Sequence, residues 1–200
     1  MRRPPSPRRG LRLFRGRLGA LVITALVLAA MAGTALLVPG GGSEDGRART
    51  SPSVSPSPTG TFFRARALGV AGIRPRGWRL SSSRRAVRLR SPDRAGIVAI
   101  SAAPASVGTR ALMTSTLAAV SRSYGKRRLS ARRRAAVGGR PGTAVSGSVT
   151  NSRGVRLDLL LSTAKGRRRT YLVQVFVARA AGGLRLGQAQ ALVNSLELSG

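Results

Sequence analysis

Residues 143–178 read TAVSGSVTNSRGVRLDLLLSTAKGRRRTYLVQVFVA, and the fold hangs on them. Two short polar turns, Asn151-Ser152-Arg153-Gly154 and Lys165-Gly166-Arg167-Arg168, cut this stretch into three apolar runs. In the second run Val155, Leu157, Leu159 and Leu161 occupy every other position, and in the third Tyr171, Val173, Val175 and Val177 do the same. A period of two places each set on one face of a strand. Turns this short join neighbours, so residues 143–150, 155–163 and 170–178 are expected to form an antiparallel meander.

Working outward, the turn Gly138-Gly139-Arg140-Pro141-Gly142 precedes the meander. Further upstream Val87 and Leu89 alternate with Arg88 and Arg90, and Ser91-Pro92-Asp93-Arg94-Ala95-Gly96 leads into residues 97–102, which reads as a hairpin. Two helices interrupt the strands. Met113, Leu117, Val120 and Tyr124 form a stripe within residues 109–124, and Ala189, Leu192, Val193 and Leu196 form another within 184–196, after Gly182-Gly183. Helices packed on one antiparallel sheet define an α+β layered domain over residues 61–200.

The segments before this domain differ in kind. Residues 1–17 carry seven arginines and no acid, the pattern of a disordered basic tail. Leu18 to Val38 is an uncharged run of 21 residues. As a helix it reaches roughly 31 Å, about the thickness of a bilayer's hydrocarbon core. Arginines crowd its N-terminal flank, so the positive-inside rule puts residues 1–17 in the cytoplasm and the domain outside. Ala30-Met31-Ala32 offers the small-x-small form of a cleavable signal, but the apolar run continues through Ala35-Leu36-Leu37-Val38, which favours an uncleaved signal-anchor in the cell membrane. Residues 39–60, rich in Pro, Gly, Ser and Thr, form a disordered linker and spacer.

Composition narrows the chemistry. The 200 residues hold 36 Lys+Arg against 5 Asp+Glu, with no Cys and no His. Disulfides, thiol catalysis, Cys- or His-ligated metals and Ser-His-Asp triads are excluded. No metal site and no cofactor is expected, and the chain is read as non-enzymatic. Arginine outnumbers lysine 34 to 2, alongside abundant Ala and Gly, the bias of a GC-rich genome. The near-absence of acid still leaves a net charge of +31 and a real surface potential.

The order of elements resembles the PsbP-like fold, including the exported LpqN-type proteins of actinobacteria. The resemblance rests on Pro75-x-x-Trp78 before the hairpin with Ser91-Pro92-Asp93, then Pro104 and a helix. It continues through Gly138-Gly139-Arg140-Pro141-Gly142, the meander with Tyr171-x-x-x-x-Phe176, and a last helix closing in Asn194-Ser195-Leu196. It spans about residues 65–198 and implies an α/β/α sandwich around an antiparallel sheet, acting in binding or assembly rather than catalysis. Lipoprotein relatives carry a lipidated Cys; here the anchor would be Leu18 to Val38.

Two basic clusters stand out as polyanion-binding candidates: Lys126, Arg127, Arg128, Arg132, Arg133 and Arg134, and the turn Lys165, Arg167, Arg168 and Arg169. Together they are expected to form one basic face held against an anionic leaflet, against the plain alternative of a solvated loop. A stacking platform for nucleic acid is thin, since aromatics make up only 4% of residues, and export removes the substrate. Asp158 is read as an ion-pair partner of Arg156, Asp93 as a turn residue, and Trp78 as a plug at one end of the core, with a pocket rim as the alternative. The sum is an extracytoplasmic binding or scaffold domain whose partner is an envelope protein, an anionic lipid or a wall polymer. The alternative is a secreted carrier of a small apolar ligand.

Overall fold

In this computed structural model residues 60–199 are described. They begin with β1 (Gly60–Ala65), β2 (Val70–Pro75), β3 (Arg79–Ser82), β4 (Ala86–Arg90) and β5 (Gly96–Pro104), followed by α1 (Thr109–Ser123). Next come β6 (Gly125–Leu129), β7 (Arg133–Val137), β8 (Arg140–Thr150), β9 (Arg156–Lys165) and β10 (Arg169–Ala178). A short 3-10 turn (Arg179–Ala181), α2 (Gly182–Asn194) and β11 (Glu197–Leu198) close the domain. The basic tail, the segment Leu18 to Val38 and the linker up to residue 59 lie outside the described residues. Among the described residues no helix is long and apolar enough to cross a membrane.

The main sheet has eight strands in the order β3-β4-β5-β10-β9-β8-β6, with β7 also paired to β8, and all its pairings are antiparallel. A second sheet joins β1, β2 and β11. The hairpin of β4 and β5 and the meander of β8, β9 and β10 are where the alternation places them. β10 is central and almost wholly buried, and its alternate residues serve two cores. Tyr171, Val173, Val175 and Val177 pack with Ala189, Leu192 and Val193 of α2, with Trp78, and with Val70 and Leu198 of the small sheet. On the other face Phe176 packs with Met113 and Val120 of α1, with Tyr124 just past its end, and with Leu157, Leu159 and Leu161 of β9. The rings of Tyr124 and Phe176 stack with centroids 5.4 Å apart. The helices therefore lie on opposite faces of the sheet, as the sandwich expectation requires.

Five strands escaped the alternation rule beyond the short β11. β1, β2 and β3 precede the expected hairpin. The run 126–134, weighed above as a solvated loop, instead contributes β6 and β7. Both lie along the outer side of β8, with β7 on residues 140–144 and β6 on 147–150. Arginines at most positions hide the period there, because an edge strand has little apolar face to display. Gly138 and Gly139, at φ 56° and 68°, make the two-residue turn from β7 to β8 that only left-handed backbone allows. Gly147 is required for a different reason: a Cβ there would lie 2.0 Å from the Arg128 carbonyl oxygen on β6.

Two substitutions test this core. Leu161 is fully buried between β9 and α1, so Leu161→Ala should cost about 2–5 kcal/mol by the lost transfer and the cavity left behind. Gln174 on β10 is 1% exposed and its amide has no partner among the described residues. Gln174→Met should therefore stabilise, by about 1 kcal/mol or more, because it removes an unpaired buried polar group at similar volume. Urea denaturation of both variants reads the two signs directly.

Candidate functional site

β8 carries the basic residues apart. Gly125 pairs with Thr150 and Arg134 with Thr143, seven residues along the strand. At roughly 3.4 Å per residue that is about 24 Å. The first cluster is thus split, with Lys126, Arg127 and Arg128 at one end of the sheet and Arg132, Arg133 and Arg134 toward the other. The turn Lys165, Arg167, Arg168 and Arg169 lies at that second end, since Ala164 pairs with Gly142. The single basic face expected from the sequence is two basic ends.

Three of the ten side chains are taken up by the fold. Arg127 donates from Nη1 to the carbonyls of Ser121 and Tyr124, at 2.7 and 2.9 Å, and so caps the last turn of α1. Arg132 donates to the Thr114 hydroxyl of α1 at 3.0 Å. Arg169 donates to the Ala67 carbonyl at 2.6 Å and ties the meander to the β1–β2 turn. Lys126, Arg128, Arg133, Arg134, Lys165, Arg167 and Arg168 are exposed.

At the first end the sequence clusters recruit residues from elsewhere. A groove of about 530 Å³ is lined by Lys126, Arg127, Arg128, Ser148, Arg156 and Arg179. Arg128, Ser148 and Asp158 stand in one cross-strand row, on the face opposite Leu157 and Leu159. α2 packs over β2, β5 and β10 on that face and leaves the β8–β9 strip open. Asp158, the one carboxylate in this row, accepts from Nε and Nη2 of Arg179 at 3.1 and 2.9 Å. The expected pairing with Arg156 is corrected by this contact. Residues two apart on a strand project side by side, whereas Arg179 emerges from the end of β10, next to Val177, which pairs with Asp158. Arg156 stays exposed in the groove. Its place was legible in the polar alternation of β9; that of Arg179 required the sheet.

Trp78 is 2% exposed, in the core cluster below α2, with Nε1 donating to Gln188 Oε1 at 3.1 Å. The ring is enclosed rather than set on a pocket rim. Gln188 also accepts from Arg185, which pairs with Asp93 at 2.7 Å. Asp93 lies in the β4–β5 turn, as expected, and accepts from the Ala95 amide and the Ser91 hydroxyl. The chain Asp93–Arg185–Gln188–Trp78 thus fastens α2 to the sheet. Burial works to raise the Asp93 carboxyl, but the Ser91 hydroxyl, Arg185 and the Ala95 amide outweigh it and hold it below the ordinary value. The two phenols are core groups: burial pushes Tyr124 up to about 12, and also raises Tyr171, whose hydroxyl donates to the Leu68 carbonyl at 3.0 Å.

No family model and no curated protein matches the chain. Solved structures do. Cyanobacterial PsbP (CyanoP) from Synechocystis sp. PCC 6803 superposes with a TM-score of 0.53 at 12% identity, over 75% of this chain and 98% of that one. The domain has a PsbP-like fold. LpqN of Mycobacterium tuberculosis, described as involved in cell envelope biogenesis, gives a TM-score of 0.49 at 14% identity over 66% of this chain and 83% of its own. A protein from Bacteroides thetaiotaomicron gives 0.48 at 14% identity and 70% of this chain; the match spans only 49% of that protein.

The PsbP-like domain's helix lock makes a pH prediction. A depressed folded-state pKa contributes stability that is present above the unfolded value, about 3.9, and is lost as pH falls through the folded value. Trp78 fluorescence, from the sole tryptophan, should therefore report α2 loosening in an acid limb below about pH 4. Asp93→Asn should lower stability at pH 7 and flatten that limb. An unchanged limb would remove Asp93 from the lock.

Proposed function

We propose that this chain is a non-enzymatic extracytoplasmic domain, anchored through Leu18 to Val38, that docks on an anionic membrane surface through the groove of Lys126, Arg128 and Arg156. One observation carries it: an open strip of sheet lined by basic side chains, where Asp158, the carboxylate of that row, is already paired with Arg179. Such a surface is attractive to a dense array of negative charge, each basic residue near an anionic leaflet contributing about 1 kcal/mol. The absence of enzymatic function is supported by the choice of groups. The acids Asp93 and Asp158 each hold an arginine, and the two phenols are buried. The linker before β1, residues 39–59, would let the domain lie back on its own membrane. The carrier alternative finds less support, since the groove is lined by charge and hydroxyl rather than apolar side chains.

Residues 60–199 enclose cores on both sheet faces, so a soluble fragment of residues 60–200 serves for the test. It should co-sediment with phosphatidylglycerol vesicles, not with phosphatidylcholine vesicles, and release as salt rises. Arg128→Gln with Arg156→Gln should weaken binding about 30-fold, from about 1 kcal/mol for each charge. Lys165→Gln with Arg167→Gln, at the far end, should change it much less. Equal losses in the two pairs would move the contact away from the groove.

A further inference from the structure

Among the described residues three large apolar side chains are exposed, and two of them, Leu184 and Leu186, stand in the first turn of α2. The third, Phe62 on β1, carries the Arg64 guanidinium over its ring, 5.7 Å from the centroid. Leu184 is 69% exposed, and neither leucine enters a core cluster. The turn around them is bare, since a Cβ added at Gly183 or Gly187 would meet nothing within 4 Å. A single exposed apolar residue needs no account, but a pair on one bare turn marks a contact surface.

Their place in the fold ties the leucines to the basic groove. Val177, near the end of β10, pairs with Gly96 and with Asp158, so the start of β5, the end of β10 and the groove share one end of the sheet. Arg179 lines the groove, and Gly182 opens α2 three positions later. The 3-10 turn between them packs against β9. Within α2, Arg185 reaches back to Asp93 in the β4–β5 turn. Leu186 lies about 100° further round the helix, on the opposite side of the buried Ala189, and so on the flank toward the open β8–β9 strip. Leu184 is on the outer side of the same turn. The Arg185–Asp93 pair and the Gln188–Trp78 bond fasten this turn, which presents both leucines on a fixed element. The first turn has neither an acidic residue nor a capping side chain, so the positive end of the helix adds to the attraction of headgroup phosphates.

We propose that Leu184 and Leu186 insert below the headgroups of an anionic bilayer while the groove of Lys126, Arg128 and Arg156 holds the phosphates above them. The inference rests on the groove reading and extends it: charge brings the domain to the surface, and the apolar turn fixes which end enters it. The two parts respond differently to salt. Attraction between exposed charges is screened as ionic strength rises, whereas burial of a leucine in the acyl boundary is not.

The test is co-sedimentation of the fragment of residues 60–200 with phosphatidylglycerol vesicles across a sodium chloride series. Leu184→Gln should weaken binding about 10-fold, by the same factor at every salt concentration. The groove pair Arg128→Gln with Arg156→Gln should instead flatten the salt dependence. Gly187→Leu, where the added side chain has open space, should tighten binding about 10-fold and guards against reading a misfolded variant as a lost contact. Because the chain has no cysteine, Leu184→Cys accepts one environment-sensitive fluorophore. Its emission should shift to the blue when vesicles are added, while the same probe on Arg168→Cys, at the far end of the sheet, should not shift. Loss of binding in the groove pair but not in Leu184→Gln overturns the insertion and spares the groove. Loss in Leu184→Gln but not in the groove pair supports the insertion and removes the groove. A fragment dimer that Leu184→Gln dissolves, with lipid binding unchanged, would give the leucines to a second copy and overturn the proposal.

Discussion

β10 is the strand that everything else packs around, and the constraint it imposes is burial on both faces. Nine of its ten residues are buried. Tyr171, Val173, Val175 and Val177 need apolar cover on one side, Leu172 and Phe176 on the other, and no single helix can supply both. The chain answers with α1 and α2 on opposite faces and with β5 and β9 as immediate neighbours. The small sheet of β1, β2 and β11 then completes the α2 side, where Val70 and Leu198 enter the same cluster as Leu192. Tyr171 links the two sheets by donating its hydroxyl to the Leu68 carbonyl.

Two helices on a sheet of eight strands leave bare ground. α1 lies toward β9 and α2 toward β5, so each face keeps one uncovered strip, on opposite edges. Both strips are basic. In a chain with a net charge of +31 the exposed strips inherit whatever the sequence has in excess. The edges also gain from it, because β6 and β7, rich in arginine, are guarded against pairing with another chain's strand. Edge protection explains charge along β6 and β7.

Much of the architecture was legible. The period of two in 155–163 and 170–178, the short turns between them and the stripes of Met113–Val120 and Leu192–Leu196 follow from burial, and burial writes a regular pattern. β6 and β7 were not legible, since an edge strand with one partner has too little apolar face to show alternation. β1, β2 and β3 were hidden for a related reason: they are short, and β3 is mostly exposed. Asp93 in its turn was readable from Ser91-Pro92-Asp93, but its bond to Arg185, 92 residues on, was not.

What the sequence by itself determined is the set of elements with strong apolar periodicity, the scarcity of catalytic side chains and the excess of positive charge. Each of these is a property of local spacing or composition, present before any folding. Which charges stand together was decided by the tertiary structure alone. Arg127 and Arg128 are neighbours in the chain, yet one caps α1 while the other faces the open sheet with Ser148. Arg79 and Arg90 are eleven positions apart and directly opposed. The reason is that strand pairing, not chain distance, sets the separation of side chains. A cluster in sequence is divided by the length of β8, and a groove is assembled from arginines that no run of sequence joins.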